Sequence, residues 1–495
     1  MIKKTLKINV LILLMCIIVS NLIVIYYLTL GFNRKSMLIR LVVKNLLSFK
    51  DVTEFNLFPN KTQRLAHHKK SVNNVDFLRL SAIYGANGSG KSNLIRAIAL
   101  LEDIVDEGKI PSNMTINKLK FKLSKDNEKE PISIGIEFNI GAQFYFYSLT
   151  FDYGIILEEV LYETILEEEI LIFERFNHLG KQEIKFKQGY ESTEKKKLFV
   201  EILSEKLIEK NQLLLSFLSD KYSTDFPEIK RVFDWFKYTL VVIHPNATPG
   251  ALAHLLDKSE ELMEFTNTFI PTLNTGISHI KINKQKFSEF ISKNVEEEFE
   301  QAQDIIKKLK ENPKQISILK EVDNGEEVSV LFENDEVVAK QIVPIHINDK
   351  GEGVEFNFGL ESDGTKRLIE YLPAFNAIIH EEKVYVIDEI ERSIHPITIK
   401  DIIKKISLDP NTKGQLIFST HESCLLDQEI LRSDEIWLAQ KAIDGSSKLY
   451  PLSDFNIHHT ANIENGYLNG RYGGIPFLSN LKDLNWHKYE ISSEK

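Results

Sequence analysis

The sequence predicts an α/β fold: a core of strands and helices, split by a mainly helical insertion. Three observations carry that prediction. The apolar run Leu78 to Tyr84 leads through a Gly-rich loop into Ser92 to Leu101, whose apolar spacing is helical. Pro131 to Phe151 holds alternating stretches, "ISIGIEF" and "FYFYSLTF", that read as an antiparallel sheet. From Leu368 onward strand and helix patterns alternate.

Taken in order, Ile8 to Leu30 is nearly all apolar, carries no charge, and is long enough to cross a bilayer. Two readings fit it. One is a membrane anchor over residues 8–30. The other is translation from Met37, since "MLIRLVVKNLLSF" has the pattern of a domain's first strand. The anchor would put Lys3, Lys4 and Lys7 outside if the body sits with cytosolic nucleotide, against the positive-inside tendency. The expected location is cytoplasmic, with attachment to the inner membrane only under the anchor reading.

Leu38 to Leu47 alternates and reads as a strand. Lys61 to Lys70, "KTQRLAHHKK", reads as a solvated basic loop; nucleic acid is the competing partner for it. From Glu158 to Pro313 the pattern turns mostly helical, with Leu198, Phe199, Ile202, Leu203 and Leu207 on one face. Glu296, Glu297 and Glu298 open another helix and Lys307, Lys308 and Lys310 close it, as the helix dipole favours; Asn312 and Pro313 end it. Strands return from Val328. The expected divisions are 1–36, a hydrophobic segment; 37–157, a first lobe; 158–322, the helical insertion; 323–455, a second lobe; and 456–495, a tail.

With 495 residues there is room for a large core, and a net charge of −10 argues against a generally basic nucleic-acid-binding body. Two cysteines, Cys16 and Cys424, cannot build a disulfide framework or a zinc site.

Four motifs carry chemistry. "GANGSGKSN", Gly85 to Asn93, has the form G-x-x-x-x-G-K-S. Gly85, Gly88 and Gly90 let the loop curl so that its N–H groups face phosphate oxygens, and the following helix N-terminus favours the anion. Lys91 would reach the β- and γ-phosphates and Ser92 would hold Mg²⁺. The expected nucleotide-binding residues are Gly85, Asn87, Gly88, Ser89, Gly90, Lys91, Ser92 and Asn93. In "KVYVIDEIERSIHP" a buried strand ends at Asp388, which suits Mg²⁺ held through water, and Glu389, placed to orient or deprotonate the attacking water. In "QLIFSTHES" a strand ends at Ser419, and His421 follows, in reach of a γ-phosphate or the attacking water; alone it would be an ordinary strand-end histidine. In "FGLESDGTKRLIEYLP", Ser362, Asp363 and Gly364 precede a helix beginning near Thr365. Alone that is an N-cap; beside a P-loop it is a second phosphate cradle, suggesting that two chains share each nucleotide.

The order of the four motifs resembles the ABC-type ATPases of the SMC, RecF and OLD group. In that resemblance "SDGTK" stands at the signature, "IERSIHP" is the D-loop and His421 is the switch histidine. Four stretches resemble more specifically the stand-alone AAA-type ATPases of the RloA and AbiL kind, found in bacterial phage-defence and restriction-associated loci. They are "MLIRLVVKNLLSFKD", "IDEIERSIHP", "LRSDEIWLAQKAIDGSSKLYPLSDF" and "YLNGRYGGIPFL". The resemblance spans Met37 to about Leu478, with the insertion matching only in general character. The signature lacks the usual second Gly and final Gln, and no Q-loop glutamine or adenine-stacking residue is assigned. Gln143 lies in an expected strand.

The resemblance implies an ABC-type head with a mixed sheet plus an antiparallel sheet. It also implies ATP and Mg²⁺ as ligands, an ATP-dependent homodimer, and a separately encoded effector such as a Toprim-like nuclease. The expected function is ATP hydrolysis in an anti-phage or restriction-associated system. The alternatives are a RecF/SMC-like repair ATPase and a non-hydrolysing ATP-gated dimerisation scaffold. A transporter would need many membrane helices and an SMC protein long coiled-coil arms; an OLD-type nuclease needs a D-x-D pair after His421, and none occurs.

Overall fold

The computed structural model describes residues 36–111, 116–165, 168–178, 180–294, 299–320, 327–455, 457–458 and 461–475. Residues 8–30 therefore lie outside the described residues, as do Cys16 and Glu296 to Glu298. Among the described residues no helix is long and apolar enough to cross a membrane.

Six strands form the central sheet, in the order Leu240–Ile243, Val384–Ile387, Gln415–Ser419, Leu80–Gly85, Ile436–Lys441 and Ser447–Pro451. The first five are parallel and the last pairs antiparallel with its neighbour. Both faces of the three central strands, Val384–Ile387, Gln415–Ser419 and Leu80–Gly85, are covered, which is why these strands are buried along their whole length. Ile83, Val384, Val386, Ile417 and Trp437 enter one core, shared with the helices Lys91–Glu107 and Pro227–Tyr238. Their alternates Ala82, Tyr84, Tyr385, Ile387, Leu416, Phe418 and Leu438 enter a second, beneath the helices Asp363–His380 and Pro396–Leu408. Each fully buried Val, Leu or Ile contributes roughly 1.5–3 kcal/mol, so two-sided burial fixes the register of the sheet and the places where its strands end.

A seven-stranded antiparallel sheet packs on the first core. Its order is Lys181–Phe186, Glu168–His178, Ile155–Ile165, Gln143–Asp152, Ile132–Ile140, Ser36–Lys44 and Thr53–Asn56. Gln415 ties it to the central sheet. Its side-chain amide accepts from Leu38 N–H at 2.8 Å and donates to the carbonyls of Leu38 at 2.9 Å and Leu78 at 2.8 Å.

The expected helical start of the insertion at Glu158 is corrected here: strands run on to Phe186 and widen the antiparallel sheet. Charge hid the alternation. Glu159 and Arg175 are buried, their side chains 3.6 Å apart, and Glu159 also accepts from the N–H groups of Leu214 and Leu215, the start of a helix. A buried carboxylate so satisfied behaves as core, although its sequence signal is that of a surface residue.

Helices follow, but they are interrupted. Ile277–Lys286 and Ile316–Lys320 are strands of a third, antiparallel sheet with Glu327–Glu333, Glu336–Ile347 and Gly353–Glu355. The single apolar face expected over Leu198 to Leu207 is also corrected. The helix Glu194–Ile202 passes into a π-helical turn, Leu203–Leu207, which buries Leu203 and leaves Leu198 and Leu207 exposed. The helix Phe299–Glu311 stops before Asn312 with Lys308 and Lys310 in its last turn.

The basic stretch Lys61 to Lys70 is not wholly a solvated loop. His68 is fully buried, with Nδ1 2.8 Å from Glu435 and Nε2 2.9 Å from the Ser407 carbonyl oxygen, and Lys69 begins a short strand. The partner carboxylate lies 367 positions away.

Candidate nucleotide site

Parallel strands deliver their carboxyl ends to one edge, where ligands of open α/β sheets bind. Here that edge collects Gly85, Asp388 and Ser419 from three adjacent strands.

The loop after Gly85 curls tightly. Gly90 has φ +113, and a Cβ there would strike the Ser447 side chain. Ser447 lies behind the loop. Its Oγ donates to the Ser89 carbonyl at 2.6 Å, and its N–H donates to the Ser48 carbonyl at 2.7 Å. Asn93 Nδ2 donates to Ser48 Oγ at 2.8 Å. The Asn93 side chain thus braces the loop from behind, and Asn87 and Gly88 are exposed at its rim.

Lys91 opens the helix Lys91–Glu107 and is buried. Its ammonium donates to the carbonyls of Gly85 at 2.7 Å and Ala86 at 3.3 Å, and its Nζ lies 3.4 Å from His421 Nδ1. Burial pulls the ammonium down to about 8, against the opposing pull of Glu391, Asp388 and Glu389. Burial, and then the charge of Lys91, pull His421 below its ordinary value, which suits a neutral ring whose Nδ1 accepts from Lys91.

Ser92 Oγ donates to Asp388 Oδ1 at 3.1 Å. Ser419 links the two carboxylate positions: its hydroxyl donates to Asp388 Oδ1 at 2.5 Å and accepts from the Glu389 N–H at 2.8 Å. Glu389 itself has φ +50, in the left-handed region, and its carboxylate is half-exposed, 4.0 Å from Arg392. A non-glycine residue held there costs on the order of 1–3 kcal/mol and is characteristic of functional turns. Glu391, two residues on, accepts from the His421 N–H at 2.7 Å.

The fourth motif stands apart from the P-loop. Ser362 caps the helix Asp363–His380 by accepting from the Thr365 N–H at 3.1 Å. Asp363 points outward beside Lys366. Gly364 packs on the turn after Asp388, where a Cβ would lie 2.5 Å from the Ser393 carbonyl. Among the described residues no hydrogen bond or ion pair joins Ser362, Asp363 or Gly364 to the P-loop. Gln143 is also remote in its contacts: it donates to Glu163 and accepts from Arg231.

A family model described as "AAA domain, putative AbiEii toxin, Type IV TA system" matches residues 80–427. The chain belongs to this AAA-domain family. The match spans all four motifs and the insertion between them. Solved structures similar to this AAA-domain chain include an SMC head domain from Thermotoga maritima, 14% identical, covering 84% of this chain and 98% of that one with a TM-score of 0.36. A second is the SmcHead bound to the C-winged helix domain of ScpA, 15% identical over 84% and 97%, TM-score 0.38. A third is the Smc head domain with an extended coiled coil bound to the C-terminal domain of ScpA derived from Pyrococcus furiosus, 15% over 84% and 96%, TM-score 0.35. No curated protein matches the chain.

The AAA-domain site fits a magnesium nucleotide. The loop is a cradle that a Cβ at Gly90 would disrupt, and the hydroxyls of Ser92 and Ser419 meet the Asp388 carboxylate at its floor. Among the described residues no cluster of three or more His, Cys, Asp or Glu could hold a metal ion. A single carboxylate leaves room for phosphate and water around Mg²⁺, as that ion prefers.

The sequence had shown where the strands end but not what joins them. Ser419 is visible only as the last residue of an apolar strand. Glu391 is one of three acidic residues within "DEIE". Ser48 and Ser447 carry no local signal at all.

Proposed function

We propose that this AAA-domain protein hydrolyses ATP to ADP and phosphate. The observation that carries the reading is the meeting of Lys91, Ser92, Asp388, Glu389 and His421 around one loop, from three strands far apart in sequence. Nucleotide phosphates would take over the Lys91 ammonium from the Gly85 and Ala86 carbonyls, and loop N–H groups would hold the β- and γ-oxygens. Mg²⁺, held by Ser92 and Asp388, would supply charge neutralisation at the phosphates. Glu389 accepts the proton of the attacking water, and His421 hydrogen-bonds the γ-phosphate or that water. The Ser362–Gly364 turn would complete the site on a second chain, giving an ATP-dependent homodimer.

A role in a bacterial anti-phage or restriction-associated system, with a separately encoded effector, rests on the likeness to the RloA and AbiL kind. The toxin–antitoxin wording of the family description is compatible with it.

The test is Glu389→Gln. ATP binding should persist and turnover should fall by about 100-fold or more, in the range of general-base loss. Lys91→Ala should instead abolish binding. Near-normal turnover by Glu389→Gln would remove Glu389 from the reaction, and retained binding with no wild-type turnover would leave the non-hydrolysing scaffold.

A further inference from the structure

His421 is placed by a residue that the four motifs do not assign. The turn after Asp388 and the loop after Ser419 leave neighbouring parallel strands and run side by side over the nucleotide site. A backbone bond joins them at their roots, where Ile390 N–H donates to the Ser419 carbonyl at 3.1 Å. Thr420 N–H turns away to the Ile83 carbonyl, also at 3.1 Å. Farther out, the His421 N–H is held by a side chain: it donates to Glu391 Oε1 at 2.7 Å. The imidazole of the same residue stands 3.4 Å from the Lys91 ammonium.

We propose that Glu391 is a positioning residue for His421: its carboxylate clamps the Thr420–Ser423 loop to the turn after Asp388 and so sets where the imidazole stands against Lys91. The assignment rests on the ATPase reading for its consequence in turnover, but not for the clamp itself.

The bond to the His421 N–H is itself exposed, but the other oxygen of the same carboxylate is not. Glu391 Oε2 is buried and has no hydrogen-bond partner among the described residues. A carboxylate oxygen in that condition is costly, so the side chain is held where it is by the contact that Oε1 makes. The clamp therefore joins the element bearing the two acidic motif residues to the element bearing His421. A displacement of about 1 Å in such a group costs up to about a hundredfold in rate.

The experiment compares Glu391→Ala, Glu391→Gln and His421→Ala in the full chain, with the double variant Glu391→Ala/His421→Ala. Glutamine keeps an oxygen that can accept the His421 N–H; alanine does not. Glu391→Ala should lower kcat for ATP by tenfold to a hundredfold with KM within about threefold of wild type. Glu391→Gln should stay within about threefold of wild type in both. In the His421→Ala background, loss of Glu391 should cost nothing further, because its effect passes through that ring. Additive losses, or a Gln variant as slow as the Ala variant, would overturn the assignment. The clamp has a second readout that needs no turnover. Amide hydrogen exchange in a peptide spanning residues 415–425 should accelerate in Glu391→Ala and stay at the wild-type rate in Glu391→Gln. Equal exchange in all three proteins would overturn it even if wild-type protein hydrolyses no ATP. An inactive wild type with the expected exchange pattern would instead count against the ATPase reading alone.

Discussion

Ser92 Oγ donates to Asp388 Oδ1 over 3.1 Å, although 296 positions separate the two residues. The pair is the floor of the candidate site, and it forms only once the two halves of the chain share one sheet. Ser92 is the second residue of a helix that packs on one face of the central sheet, and Asp388 follows the last residue of a strand within it. Their meeting depends on strand order. The Gln415–Ser419 strand lies between the two and contributes the hydroxyl that holds Asp388 from the other side.

Ser419→Ala should therefore slow turnover while sparing ATP binding. The change strips a donor from Asp388 and an acceptor from the Glu389 N–H. Hydrogen bonds to charged groups contribute about 1.5–3 kcal/mol, so kcat should fall by about tenfold to a hundredfold. Titration with a fluorescent nucleotide, beside a phosphate-release assay, checks both halves. An unchanged kcat would mean that the turn holds Glu389 without Ser419.

How much of this was legible in the sequence depends on how local each determinant is. The P-loop, the strand ending at Asp388 and the Ser362 cap are encoded within about ten residues each, and the structure places them in the elements expected. The strands from Ile155 to Phe186 were not legible, because Glu159 is buried by virtue of Arg175, Leu214 and Leu215, which its own neighbourhood does not contain. The burial of His68 is hidden in its basic stretch for the same reason: its partner, Glu435, lies 367 positions away. The Ser48, Asn93 and Ser447 brace behind the loop is likewise a product of topology.

Gln415 makes a prediction about stability rather than chemistry. Gln415→Leu keeps a similar volume but leaves Leu38 N–H and the carbonyls of Leu38 and Leu78 without that partner. A buried polar group left unsatisfied costs about 1–3 kcal/mol, so urea unfolding should show a loss of about 2–5 kcal/mol. A loss below about 1 kcal/mol would mean that water replaces the amide and the two sheets are joined by apolar packing alone.

Stability should respond to pH through two groups of opposite sign. His254 lies buried 3.2 Å from the Lys340 ammonium, and burial followed by that charge pulls it down to about 4. Between pH 6.5 and 4 the unfolded chain binds the His254 proton and the folded chain does not, so this group makes stability rise with pH across that window. Glu327 is pushed up to about 7, chiefly by burial. Between pH 4.5 and 7 the folded chain binds its proton and the unfolded chain does not, so this group makes stability fall as pH rises. Each is worth at most about 3 kcal/mol, and the two oppose each other between pH 4.5 and 6.5. Glu327→Gln should expose the rising slope and His254→Gln the falling one, in urea titrations at pH 5, 6 and 7. Parallel pH profiles for the two variants would show that neither group titrates as assigned.

The last prediction concerns assembly. Ser362 and Gly364 form a helix N-terminus with a capping hydroxyl, yet among the described residues they make no hydrogen bond to the P-loop. If this turn closes on nucleotide held by a second copy, Ser362→Arg should block closure and hydrolysis while leaving ATP binding to the P-loop nearly intact. Lys91→Ala should fail earlier, at binding. Mixing the two inactive proteins gives the sharper result. In a heterodimer one composite site receives both defects and the other receives neither, so ATPase activity should return, up to about a quarter of the wild-type level if subunits mix at random and each site fires alone. That figure follows from half the dimers being mixed and each keeping one intact site, as the symmetry of a two-fold dimer requires. Heterodimers shown by tagged pull-down to form, yet inactive, would mean that both sites must fire together or that the turn faces something else. Normal hydrolysis by Ser362→Arg alone would exclude the shared site outright.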